Sequence, residues 1–67
     1  MASVARVTEI SATSEESFED AILSGMQRAE QSLRGVRSAW VKEQEVRVHD
    51  GAHEFQVNML VTFVLDD

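Results

Sequence analysis

The pattern of hydrophobic and polar positions changes its period along the chain. Between Val4 and Ser11 several residues are β-branched and alternation is imperfect, which predicts a short edge strand. From Phe18 onward apolar residues recur at steps of four and three, which predicts one amphipathic helix of about six turns. Its apolar stripe comprises Phe18, Ile22, Met26, Ala29, Leu33 and Val36.

The ends of this helix carry recognisable signals. Thr13 is predicted as the N-cap, with Glu16 three residues later completing a capping box. Gly35 supplies the stop at the C-terminal end. Acidic residues crowd the beginning of the helix, as the helix dipole favours, so they are interpreted as a solvated face rather than a calcium site.

After Gly35 the hydrophobic period becomes two, interrupted only by the segment HDGAH. Its Asp50-Gly51 pair is a strong hairpin signal because both residues tolerate positive φ. The predicted order is therefore β-α-β-β, an α+β fold with a three-stranded antiparallel sheet around one long helix. The odd positions of the last strand form the predicted core row: Phe55, Val57, Met59, Val61, Phe63 and Leu65.

The two strands of this hairpin match only if one of them contains an extra residue. A two-residue loop pairs His49 with Ala52, but a regular register would then place Val41 on the wrong side of the sheet. A β-bulge in the segment KEQE, residues 42–45, corrects the register. Trp40 then points away from the core, beside Leu60 and Thr62.

Length and charge restrict the function. The chain has 67 residues, interpreted as a single domain (1–67), and no cysteine. So small a domain, lacking disulfides or a structural zinc, is commonly stabilised by oligomerisation. A net charge of −6 makes nucleic acid and membrane surfaces poor partners. The chain shows no signal peptide or transmembrane stretch, so a cytoplasmic location is expected.

The single helix covers only one face of the sheet, so the opposite face is expected to be covered by a partner. It carries Trp40, Leu60 and Val64 together with the amides of Gln56 and Asn58. One interpretation is a homo-oligomer interface, in which tryptophan is enriched. Another is a pocket between subunits for a flat aromatic ligand, with the indole stacking and an amide binding the ligand's edge. The two are compatible.

Three segments carry a resemblance to a known family. These are RVTEISATSEESFEDAI, RAEQSLRGV and FQVNMLVTFVLDD, and in their order and spacing the chain resembles the dodecins. The resemblance implies a hollow homododecamer of β-α-β-β subunits that binds flavin (riboflavin, lumichrome or FMN) at subunit interfaces, for storage or sequestration.

The resemblance also suggests site residues. Gln56 matches the family's flavin-contacting glutamine, whereas Ser38 occupies the place of the stacking tryptophan and Trp40 lies two residues further along. Glu45 aligns near a basic position of the family, and Val64 replaces an arginine available to phosphate. Riboflavin and lumichrome are therefore expected to bind at least as well as FMN.

Other chemistry has weaker support. The run VKEQEV resembles calcium dodecins, so the alternative is a shell without flavin that has a structural or cation-binding role. His49 and His53 flank the turn, but two histidines without a third ligand are better explained as solvated residues than as a metal site. No serine has an adjacent histidine base, and no enzyme is predicted.

Overall fold

The computed structural model describes residues 2–65, which form one helix and a three-stranded sheet. The elements are strand β1 (Ala5–Ser14), helix α1 (Phe18–Ser32), strand β2 (Val36–His49) and strand β3 (Ala52–Val64). The strand order is β1-β3-β2, and both pairings are antiparallel. The predicted β-α-β-β fold is confirmed, with β3 central and β1 and β2 at the edges.

Strand β1 is longer than predicted, and the helix begins later and ends earlier. Thr13 is not the N-cap: it lies in β1 opposite Gln56. The cap is Ser17, whose hydroxyl accepts a 2.9 Å hydrogen bond from the Asp20 backbone N–H. Pairing with β3 extends β1 through Ser14, because ladder hydrogen bonds outweigh the local capping signal.

Ser14 joins the strand to the helix. Its buried hydroxyl donates to Asp20 Oδ2 at 2.6 Å and accepts from the backbone N–H of Glu16 at 2.9 Å. The helix then runs for 15 residues, about four turns rather than six. Gly35 adopts φ of +69° just before β2, so it turns the chain into the strand three residues after the helix ends.

The core lies between α1 and one face of the sheet, here called the inner face. Val57, Met59 and Val61 of β3 are fully buried, in agreement with the predicted row, but Leu65 lies beyond the strand and is exposed. On the helix, the buried residues are all small: Ala21 and Gly25, which lie beside the predicted stripe, and Ala29, which belongs to it. They allow close approach, since a Cβ on Gly25 would lie 2.6 Å from Met59 Cε.

The predicted turn and bulge are both confirmed. Asp50 and Gly51 have φ of +49° and +81°, and His49 pairs with Ala52. The register shifts between Val41 and Glu43, so Lys42 is the extra residue. A second irregularity, between Val36 and Ser38, has no signal in the hydrophobic pattern.

Candidate functional site on the outer face of the sheet

The outer face is the surface of the sheet that faces away from α1. Because side chains alternate along a strand, residues opposite the even positions of β3 share this face. Trp40 pairs with Leu60, and Ser38 pairs with Thr62. Both therefore lie where the sequence places them. The Trp40 side chain is 73% exposed in the single chain, the most exposed large hydrophobic residue among those described.

The other two predicted site residues lie together further along the same face. Glu45 is the direct cross-strand partner of Gln56. An open cavity of about 380 Å³ is lined by Glu43, Gln44, Glu45, Gln56 and Asn58. Its volume falls in the range of roughly 300–1,000 Å³ typical of small-molecule sites.

A short hydrogen-bond chain orients the amides in this cavity. Gln56 Nε2 donates to Asn58 Oδ1 at 3.2 Å, and Asn58 Nδ2 donates to Glu43 Oε1 at 3.3 Å. Within residues 2–65 the carbonyl oxygen of Gln56 has no hydrogen-bond partner, so it can accept from a ligand N–H. The Gln56 amide is thus held in one direction with an acceptor free.

The predicted residues do not form a single pocket within one chain. Leu60, the partner of Trp40, lies four residues from Gln56 along β3, a separation of roughly 13 Å at about 3.3 Å per residue. Trp40 and Ser38 do not line the cavity that contains Gln56 and Glu45. One chain therefore presents an aromatic surface and an amide cavity at different points of the same face.

The outer face carries more negative than positive charge. Lys42 reaches across β3 to Glu9, with 3.6 Å between Nζ and Oε1, which places its side chain on this face. Arg47 contacts Glu45 at 3.5 Å and Glu54 at 3.6 Å. These two cations are each paired with a carboxylate, and Glu43 adds a further negative charge.

Sequence reasoning missed the roles of Glu43 and Lys42. The bulge brings Lys42 and Glu43, consecutive in sequence, to the same face of the sheet, as their contacts with Glu9 and Asn58 require. The signal was the segment KEQE, which indicates a bulge without specifying which residue is extra. Only the pairing register decides that Glu43 faces Asn58.

The two histidines flanking the turn have different cross-strand partners, Ala52 for His49 and Val48 for His53. These pairs alternate along the ladder, so the two imidazoles point to opposite faces of the hairpin. In the described part of the chain, no three His, Cys, Asp or Glu side chains are grouped closely enough to hold a metal ion. The geometry therefore gives no support to a shared metal site at the turn.

Comparison with known proteins decides the family. The sequence model of the dodecin family matches residues 4–66. The chain belongs to the dodecins. A dodecin from Streptomyces davaonensis is 38% identical, with a TM-score of 0.91 over 97% of both chains. A Thermus thermophilus protein is 34% identical, with a TM-score of 0.90 over 98% of both chains.

The structural relatives of this dodecin also include a calcium dodecin. The calcium dodecin of Mycobacterium tuberculosis is 34% identical, with a TM-score of 0.86 over 96% of this chain and 93% of that one. A comparison with curated proteins finds no match. Between residues 2 and 65 no helix has the length and apolar character needed to span a membrane.

Proposed function

We propose that this dodecin is a flavin-binding protein that stores or sequesters flavins at contacts between subunits of a homododecamer, and that it is not an enzyme. The observation that carries the proposal is Trp40, an indole 73% exposed on a sheet face that also presents the Gln56 amide. A large exposed aromatic residue on a small acidic domain favours a partner that covers it. A stacked isoalloxazine ring and a second subunit both meet that need.

The distance between Trp40 and Gln56 is accommodated by assembly. Within a single chain the indole and the amide cavity lie too far apart to contact the same ring. Each site would therefore be completed by two subunits, one providing the stacking surface and the other providing the amide. In this arrangement the isoalloxazine lies against Trp40 or in the space beside Ser38. Gln56 offers its free carbonyl oxygen to the N–H on the ring's pyrimidine edge.

The charges of the outer face favour flavins without a phosphate group. Glu9, Glu45 and Glu54 pair with the cations Lys42 and Arg47, so no charge from these two remains to neutralise a phosphate. The phosphate of FMN would also meet the carboxylate of Glu43 beside the amide cavity. Riboflavin and lumichrome carry the same ring system without this penalty.

A direct experiment tests the proposal. Riboflavin is titrated with the purified protein while flavin fluorescence is followed, because contact with an electron-rich indole quenches the excited ring. Saturable quenching, with a visible absorption band of bound flavin, is the expected result. Absence of quenching at micromolar protein would reject the flavin function.

A second candidate function is calcium binding in a shell without flavin. It is favoured by the oxygen atoms around the amide cavity, where the carboxylates of Glu43 and Glu45 lie beside the Gln56 and Asn58 amides, and by the likeness to the calcium dodecin. Equilibrium dialysis against calcium distinguishes the two candidates. Calcium uptake without flavin quenching supports the second, and quenching without uptake supports the first.

A further inference from the structure

The amide of Gln56 lies at one end of a hydrogen-bond chain that has a carboxylate at its other end. Gln56 Nε2 donates to Asn58 Oδ1 at 3.2 Å, and Asn58 Nδ2 donates to Glu43 Oε1 at 3.3 Å. All three side chains line the amide cavity of the outer face. The bulge at Lys42 makes the chain possible, because it places Glu43 opposite Asn58.

The carboxylate gives this chain a single direction. The oxygen and nitrogen of an amide are similar in size, so the hydrogen-bond partners decide which atom points where. An ionised carboxylate only accepts, so Asn58 turns its Nδ2 toward Glu43 and its Oδ1 toward Gln56. Gln56 in turn presents Nε2 to Asn58, which leaves Gln56 Oε1 as an acceptor without a partner among the described residues.

The two carboxylates of the cavity have different contacts. None of the ion pairs found between residues 2 and 65 includes Glu43. Glu45 lies 3.5 Å from Arg47, and within the same residues it makes no side-chain hydrogen bond to Gln56 or Asn58. Both side chains contribute a negative charge to the cavity, but only Glu43 fixes the direction of the amides.

We propose that Glu43 and Asn58 are positioning residues that make the Gln56 site specific for a ring edge that presents an N–H. The inference rests on the proposed flavin function and names the part of the ligand on which selection depends. A fixed Oε1 accepts from the imide N–H that lies between the two carbonyl groups of the isoalloxazine ring. A ring alkylated at that nitrogen has no donor there, so it would bury Oε1 without a partner.

This selectivity requires that the Gln56 amide cannot turn over. An amide free to rotate would offer Nε2 to a ring carbonyl in place of Oε1, and it would therefore accept alkylated rings as well. The chain from Glu43 excludes that second arrangement. Glu43 thus acts on the ligand through Asn58 and Gln56, and it needs no contact with the ring.

The first test measures the direction of the chain without any flavin. Asn58 is the only asparagine in the sequence, so protein labelled isotopically at asparagine gives one side-chain amide signal in the NMR spectrum. A proton donated to a carboxylate forms a stronger hydrogen bond and resonates downfield of one donated to a neutral amide. Glu43→Gln should move the Asn58 Nδ2 proton upfield. Glu45→Gln is the matched control, because it removes the same charge from the same cavity and should leave that signal in place.

The second test measures ligand selectivity. Riboflavin and its derivative methylated at the imide nitrogen are each titrated while fluorescence quenching is followed. Wild type should prefer riboflavin by roughly tenfold or more, because the methylated ring leaves a buried acceptor unpaired. In Glu43→Gln the amides can run in either direction, so riboflavin should bind only about twofold more weakly while the methylated ring gains affinity. The preference should therefore fall at least roughly threefold in Glu43→Gln and stay at the wild-type value in Glu45→Gln.

A compensating double variant separates direction from side-chain shape. Glu43→Gln combined with Asn58→Asp moves the carboxylate one position along the chain and keeps the net charge. The relocated carboxylate accepts from the amides on both sides of it, so Gln56 again presents Nε2 and leaves Oε1 free. The wild-type preference for riboflavin should return in this variant. Circular dichroism and light scattering of every variant should match those of the wild-type protein.

The outcomes distinguish the inference from the function on which it rests. Saturable quenching with the same preference in wild type and Glu43→Gln would overturn the positioning role and leave flavin binding standing. An Asn58 signal that does not move in Glu43→Gln, or that moves equally in Glu45→Gln, would overturn it as well. Absence of quenching by both rings in wild type would reject the flavin function together with the selectivity. A shift of the Asn58 signal in Glu43→Gln alone would support the fixed chain in either case.

Discussion

Trp40 and Leu60 lie directly opposite each other on β2 and β3, and both face away from helix α1. In a cross-strand pair the side chains are direct neighbours, so the two form one apolar surface on a face that also carries polar and charged residues. Within the described chain the indole remains 73% exposed. This pair is the centre of the predicted contact between subunits.

Replacing either member of this pair by aspartate should weaken assembly. A carboxylate in the middle of a buried contact carries a large desolvation cost, whereas on a free surface it costs little. We expect Trp40→Asp and Leu60→Asp to shift the mass measured by light scattering toward smaller species at micromolar protein. Leu23→Asp, on an exposed helix position, is the control, and it should keep the wild-type mass. Unchanged mass and thermal stability in both outer-face variants would contradict the predicted interface.

Truncating either of the two proposed flavin contacts should weaken riboflavin binding. Stacking on an indole is worth about 0.5–1.5 kcal/mol beyond burial, so Trp40→Ala should raise the Kd at least roughly two- to tenfold. Loss of one paired amide costs about 1 kcal/mol, which makes Gln56→Ala a change of about fivefold. Trp40→Phe retains a ring and should lie between wild type and Trp40→Ala. Fluorescence titration measures all three, and unchanged Kd values would show that the ring binds elsewhere.

The phosphate group of FMN provides a separate test of the outer-face charges. Riboflavin should bind at least as tightly as FMN to the wild-type protein, because carboxylates surround the amide cavity. Glu45→Lys reverses one charge beside Gln56 and should raise the affinity for FMN relative to riboflavin by roughly three- to tenfold, on the scale of exposed charge interactions. The ratio should fall back toward the wild-type value at high salt. Tighter binding of FMN than of riboflavin by wild type would disprove this charge argument.

The N-cap can be located by mutation. Ser17→Ala removes the hydroxyl that accepts from the Asp20 N–H and should lower the free energy of unfolding by about 1 kcal/mol. Thr13→Ala is the matched control, because Thr13 is exposed in β1 and should cost no more than about 0.5 kcal/mol. Urea denaturation at one fixed protein concentration compares the two. If Thr13→Ala lowered the free energy of unfolding more than Ser17→Ala, the result would support the capping box predicted from the sequence.

Met59 tests the position of the core. It is fully buried against α1, so Met59→Ala should lower the free energy of unfolding by about 2–5 kcal/mol through lost contacts and a cavity. Leu23→Ala removes apolar atoms from an exposed helix position and should change it by no more than roughly 0.5 kcal/mol. Denaturation curves under the same conditions compare the two variants. Equal effects would contradict a core centred on β3.

Several features of the fold could be predicted because their causes are local. A pair of residues that tolerate positive φ specifies the tight turn at Asp50-Gly51. The period-two row of β3 identifies the buried face. The apolar residues of β2 lie on that same face only if the segment KEQE contains an extra residue. The outward direction of Trp40 follows from the same count, so the aromatic half of the candidate site was accessible from the sequence.

Other features depended on competition between distant segments. The signals at Thr13 and Glu16 are valid for an isolated helix, but β3 offers Thr13 a ladder partner in Gln56, and the strand therefore continues to Ser14. The contact between Glu43 and Asn58 likewise depends on which residue of the bulge is extra. Local propensities are worth only fractions of a kcal/mol per residue. These features are therefore decided by long-range pairing and burial, which act only in the folded chain.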